Sequence, residues 1–165
     1  MHLKHINKGT YLKPVREEKD AFQVAGLMTL VRGDQAVTTE LWDVFAQQLE
    51  RLENAIGPRD YYGITWYPGD WPDRGFLYMA AIGIQGLDGA HTALVVKAIP
   101  ALKWARFIHK GPTGDLPLTL DYVYHTWLPK SGKRLAYPLV VEHYGEDFRG
   151  LDDGESERVI CVPIE

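Results

Sequence analysis

The sequence predicts an α+β domain of two β-α-β-β modules, giving antiparallel sheet with both helices on one face and a ligand groove on the other. Three observations predict it. Each half of the chain holds one amphipathic helical segment. In each half a β-prone run precedes that segment and two follow it. Landmark residues also recur at nearly constant spacing. Arg32-Gly33 matches Lys110-Gly111 at an offset of 78, and Tyr67-Pro-Gly-Asp-Trp71 matches Tyr144-Gly-Glu-Asp-Phe148 at an offset of 77. That period is too long, and the copies too few, for a solenoid.

Taken in order, residues 1–20 are charged and aperiodic and read as a loose lead-in. Residues 21–165 then form one domain, with module 1 at about 21–88 and module 2 at about 92–165. The run AFQVAGLMTLVRG reads as a strand ending at Gly33. A helix follows, with Thr38 or Thr39 as N-cap, an apolar stripe of Leu41, Phe45, Leu49, Leu52 and Ile56, and a stop at Gly57-Pro58. Two strands, DYYGITWY and RGFLYMAAIGI, flank a turn-rich segment from Pro68 to Pro72. In the second half, LKWARFIHKG reads as a strand. The helix LPLTLDYVYHTWLP shares Leu120, Val123, Tyr124, Trp127 and Leu128 on one face and breaks at Pro129 and Gly132. The strands YPLVVEHYG and ERVICVPI close the chain.

Composition narrows the function. The chain has 165 residues, 45% hydrophobic and 24% charged, which is ordinary for a soluble globular protein. A net charge of −4 gives no electrostatic footprint for nucleic acid or an anionic membrane. The N-terminus has no apolar signal region, and no stretch approaches the roughly 20 apolar residues of a membrane span. The single cysteine, Cys161, excludes an internal disulfide and reads as a packed apolar residue, so the cytoplasm is the expected compartment. The six histidines lack metal-ligand spacing and read as surface or strand-end residues, and neither metal nor cofactor is expected. No nucleophile elbow, P-loop or dinucleotide fingerprint is present. Five Trp and nine Tyr are a heavy load of large rings with polar handles, which favour half-wet grooves.

Alternation along the strands selects the groove residues. If Leu139 and Val141 pack under a helix, then Val140, Glu142 and Tyr144 face the groove. The same reasoning puts Trp104 and Arg106 there, with Ala105 and Phe107 in the core. It also turns Tyr61, Gly63, Thr65 and Tyr67 outward and Tyr62, Ile64 and Trp66 inward. Tyr78 is the candidate from its strand. Glu142 is the residue to explain, a lone carboxylate in the apolar strand LVVEHY. Burial of a bare carboxylate costs several kcal/mol, so a partner or a purpose is implied. The plain alternatives are an exposed edge position or a salt bridge to Arg106. The functional reading is a counter-charge for a ligand cation, helped by surrounding rings at roughly 0.5–2 kcal/mol each.

The strand Trp104-Ala105-Arg106-Phe107-Ile108-His109-Lys110-Gly111, the helix end Trp127-Leu128-Pro129-Lys130-Ser131-Gly132 and the run Glu142-His143-Tyr144 resemble the GyrI-like effector-binding family. YYGITWY and FLYMAAI also look like family strands, and Trp104 departs from the family's usual Tyr. The resemblance implies a duplicated module fold with Glu142 at the centre of an aromatic drug-binding groove. The family includes ligand-sensing domains of multidrug-responsive transcription activators, which implies a binding protein for hydrophobic cations or amphipaths, as multidrug sensor or sequestering protein. Other members are cyclopropane hydrolases acting on DNA-alkylating natural products, in which Glu142 would be the general base, or resemble DNA gyrase inhibitors. No helix-turn-helix segment is visible, so a transcriptional role would need a separate DNA-binding or protein partner.

Overall fold

The computed structural model describes residues 12–33, 36–49, 60–67, 75–85 and 93–165. Eight strands form one sheet: β1 (Val15–Lys19), β2 (Phe22–Val31), β3 (Tyr61–Trp66), β4 (Phe76–Ile84), β5 (Val95–Ile99), β6 (Leu102–Lys110), β7 (Leu139–Tyr144) and β8 (Glu157–Ile164). Helix α1 (Ala36–Gln48) follows β2. After β6 come a 3-10 turn (Thr113–Asp115), α2 (Leu116–Tyr122), a π turn (Val123–Trp127) and α3 (Leu128–Ser131) without a break. The strand order is β1-β6-β8-β7-β3-β4-β2-β5 and every pairing is antiparallel. The α+β class and the two β-α-β-β units are therefore as read, joined at the centre through β3 and β7. Gly33 and Gly111 end equivalent strands with φ of 126° and 127°, a left-handed geometry that favours glycine, which is why that landmark repeats.

Two strands escape local reading. β1 lies inside the expected lead-in, and β5 lies in a stretch where no strand was expected. Their pairing closes the sheet. Lys19 faces Leu102 in one ladder and Phe22 faces Ile99 in the other, so the register is unbroken across both. β1–β2 and β5–β6 are thus two long strands paired along their length and bent together at Asp20-Ala21 and Pro100-Ala101. Pro100 has no N–H for a ladder, which suits a bend. β1 stands at one end of the strand order and β2 near the other, two residues apart in sequence, so the sheet must curl back on itself. Charge fixes the seam: Glu17 meets Arg106 at 2.7 Å and Glu18 meets Lys103 at 4.0 Å.

The curl gives the sheet an inside and an outside. Val24, Tyr62, Ile64, Met79, Trp104, Leu139 and Val141 fill the inside. Outside, Phe45 of α1 packs with Ala25, Ala80 and Ile82, flanked by Leu41 and Leu49 of the expected stripe. Leu52, Ile56 and the Gly57-Pro58 stop, and the turn from Pro68 to Pro72, lie outside the described residues. The helix is already formed at Ala36, ahead of the Thr38 and Thr39 expected as its N-cap. Val123 of the second helical segment packs with Ala105, Phe107, Ile160 and Val162, with Leu120, Tyr124, Trp127 and Leu128 beside it as the stripe predicts. Pro129 does not break this segment. It sits in the first turn of α3, and the end comes at Gly132, φ 71°.

Of the surface or strand-end positions expected for the histidines, His109 takes the second, next to the end of β6. It is 3% exposed and ties β6 to the second helical segment. Its Nε2 lies 3.1 Å from the Pro112 carbonyl, which only accepts, so Nε2 carries the proton. Thr119 then donates to Nδ1 at 2.6 Å. Burial pushes the His109 pKa below its ordinary value. The unfolded chain takes up this proton more readily, so the stability is complete above about pH 6.5 and falls as pH drops toward the folded-state pKa. Urea unfolding between pH 5 and 7 should show this slope, reduced in His109→Gln by up to about 1.4 kcal/mol per pH unit. Equal slopes would assign the acid sensitivity to other groups.

Candidate functional site

Glu142 faces Gly63 directly across the β3–β7 ladder at the centre of the sheet. Val140 and Tyr144 share its face, as do Tyr61 and Thr65 of β3. Val140 packs beneath the second helical segment and Tyr61 beneath α1, so this face is the helix face. Glu142 was expected on the side away from the helices and lies on the helix face instead; the cleft on the far side is bordered by Trp104 and not by Glu142. α1 lies over β2 and β4, the second segment lies over β6 and β8, and β3 and β7 form the floor between them. The far side of the sheet is the packed inside of the curl. Ala105 and Phe107 of β6 pack under the second helical segment as read, but β3 and β7 are turned the other way: Leu139 and Val141, expected under a helix, lie on the far face and Val140 takes their place. Trp104 and Arg106 therefore belong to the inside, where Trp104 borders a cleft of about 90 Å³ with Lys19, Phe22, Tyr62 and Cys161. His143 also faces away from Glu142, stacks on Tyr62 and bonds Asp60 at 2.7 Å.

A chain of polar contacts crosses the floor. Trp42, from α1, donates its indole N–H to the Tyr78 hydroxyl at 2.8 Å. The Tyr78 and Tyr144 hydroxyls come together over Gly63, and Tyr144 donates to Glu142 Oε1 at 3.3 Å. From the other side Arg158 Nη1 donates to the same Oε1 at 3.0 Å, and its Nη2 bonds Thr113. Arg158 is 3% exposed, and its guanidinium lies 5.3 Å from the Tyr144 ring centre and 5.4 Å from that of Phe148. Burial pushes the Glu142 carboxyl up from its ordinary range, and Arg158 and Tyr144 pull it part of the way back. Burial and the Glu142 charge raise the pKa of Tyr78 and Tyr144, so both hydroxyls keep their protons.

Rings line the walls. Trp42 meets Tyr144 edge-on at 5.6 Å and Tyr61 at 6.3 Å, and Tyr144 meets Phe148 at 4.8 Å. Thr65 is buried beside Val140. Tyr67 stands at the rim, 42% exposed and against Phe76, where the Glu142 charge reaches it. Tyr61, Thr65, Tyr67, Tyr78, Tyr144 and Glu142 are thus brought together, and Trp104 is not. Sequence reading missed Trp42, Thr113, Phe148 and Arg158. It also offered Arg106 as the partner of Glu142, whereas Arg106 is committed to Glu17. One signal was available: Arg158 alternates with Ile160, Val162 and Ile164, a lone basic residue on a buried face. The bare counter-charge expected at Glu142 is revised accordingly, since Arg158 already occupies it. Among the described residues no cluster of three or more His, Cys, Asp or Glu could hold a metal ion, and no helix is long and apolar enough to cross a membrane.

A duplicated α+β domain with one buried carboxylate surrounded by rings where its two modules meet presents a candidate small-molecule-binding site. Residues 13–165 match the GyrI-like small molecule binding domain, and the chain belongs to that family. It is 26% identical over 147 residues to the transcriptional regulator BrlR of Pseudomonas aeruginosa, covering 89% of this chain and 53% of BrlR, so it spans about half of that relative's length. In fold it is similar to EcmrR in a DNA complex (TM-score 0.76, 18% identity, 94% of this chain and 58% of that one). It also resembles SAV2435 bound to tetraphenylphosphonium (TM-score 0.69, 11% identity, 92% and 93%). A hydrolase from Listeria innocua is more distant (TM-score 0.57, 14% identity, 93% and 92%).

Gly63 makes room for the polar chain, because a Cβ there would lie 2.6 Å from the Tyr78 hydroxyl and 3.2 Å from that of Tyr144. Gly63→Ala should cost about 1–3 kcal/mol in chemical denaturation by forcing those hydroxyls apart. The ion pair gives a second expectation. Arg158→Gln or Glu142→Gln alone should cost about 3–5 kcal/mol, and the double variant less than the two losses combined. Additive losses would show that the pair is not coupled.

Proposed function

We propose that this domain binds amphipathic, ring-bearing small molecules in the groove between its helices, as a cytoplasmic multidrug sensor or sequestering protein. The observation that carries this reading is Glu142, 13% exposed among the rings of Trp42, Tyr61, Tyr78 and Tyr144, with Arg158 and Tyr144 as its polar contacts. Rings supply broad, sequence-tolerant contact area, and one polar anchor fixes orientation. The similarity to BrlR and EcmrR supports a role in which occupancy is passed to a DNA-binding segment or partner. Cyclopropane hydrolysis is the second reading. A carboxyl raised by burial, with a tyrosine hydroxyl 3.3 Å away, suits a general base with a group to orient water.

Titration with aromatic probes, followed by Trp42 fluorescence and thermal shift, tests the binding reading. Micromolar affinity is expected, weakened at least tenfold in Trp42→Leu, which strips the wall from Tyr144 and Tyr61. No binding by any hydrophobic probe would reject the groove. Incubation with a cyclopropane-bearing alkylator separates the second reading: ring-opened product from the wild type and none from Glu142→Gln would establish hydrolysis.

A further inference from the structure

We infer that Arg158 sets the charge preference of the groove, which takes uncharged aromatic compounds bearing a hydrogen-bond donor, such as phenols, anilides and aryl alcohols, in preference to permanent cations. This rests on the groove reading above and concerns what the groove selects. A carboxylate alone on a ring-lined floor would attract a cation. Here the guanidinium is 3.0 Å from that carboxylate, so a cation arriving at Glu142 meets a positive charge nearly as close as the negative one.

Arg158 is not free to step aside. One arm of its fork holds Glu142, the other holds Thr113, and its plane lies against the rings of Tyr144 and Phe148. It is 3% exposed, so displacement would strand a buried charge. The unused capacity of the site is of one kind. Both donors to Glu142 fall on Oε1, and Oε2 has no hydrogen-bond partner among the described residues. The protons of Trp42 and Tyr144 are committed to Tyr78 and Glu142. The site therefore offers an acceptor whose charge is already balanced, and a neutral O–H or N–H satisfies it without adding charge.

Three probes of matched shape test this by fluorescence titration at pH 8: triphenylmethanol, triphenylmethane and methyltriphenylphosphonium. The wild type should bind the alcohol at least tenfold more tightly than either of the others. In Arg158→Gln the phosphonium should gain at least tenfold while the alcohol changes less than threefold. The double variant Glu142→Gln/Arg158→Gln should lose that gain. Wild-type affinity for the phosphonium equal to that for the alcohol, or an unchanged ratio in Arg158→Gln, would overturn the inference. If Arg158→Gln does not fold, the wild-type order of the three probes decides alone. Failure of all three to bind the wild type would instead sink the groove reading itself.

Discussion

The bend shared by β1–β2 and β5–β6 decides where anything else in this domain is placed. Two strands that pair without a register break across Asp20-Ala21 and Pro100-Ala101 draw the ends of the sheet together. The enclosed face has to be filled, and Tyr62, Ile64, Met79, Trp104 and Val141 fill it. What is left there is a cleft of about 90 Å³, against the roughly 300–1,000 Å³ of a drug-sized site. Each helix covers the outer strands of its own module and reaches onto the central pair, Trp42 of α1 against Tyr61 and Tyr144 and the second segment over Val140. Groove position follows from closure and duplication before any side chain is named.

On that floor the energetic problem is Glu142. An ionised carboxylate at 13% exposure is tolerable only if its charge is balanced and its oxygens are at least partly bonded. Arg158 balances the charge and Tyr144 adds a hydrogen bond to the same oxygen. The solution is asymmetric. One oxygen carries both contacts and the other carries none, so stability is secured on one side of the carboxylate and recognition is left to the other. Gly63 belongs to the same solution, because only a residue without a Cβ lets two tyrosine hydroxyls meet over the floor at that point.

The parts legible in the sequence are those governed by local rules. Alternation placed Tyr61, Gly63 and Thr65 with Glu142, and Tyr62 and Ile64 on the far face, because period two needs only the strand itself. Helical periodicity found Phe45 and Val123, both fully buried. The Gly33 and Gly111 landmarks repeated because both sit at strand ends of positive φ. What failed depended on distant partners. VREEK carries no apolar alternation, so its pairing with β6 was invisible. Without that pairing the sheet reads as open, and an open sheet has a free face for a groove. The side of Glu142 relative to the helices was lost to that one missing contact, while Trp104 lies away from them as read. Arg158 was missed for a related reason: its partner lies 16 residues away on a neighbouring strand, and Arg106 offered the same chemistry.

The contacts of the floor do not stop at the groove. Through Tyr144, Tyr78 and Trp42 the carboxylate is linked to α1. Through Arg158 it is linked to Thr113, at the turn that opens the second helical segment, and His109 fixes that turn again through Pro112 and Thr119. A molecule that bonds Glu142 therefore acts on a group to which both helices are tethered, one in each module. For a binding domain to report occupancy, the ligand must favour one arrangement of the surrounding elements over another. Here the two helices are those elements, and the contacts between them are a short, physical route by which one contact bears on both.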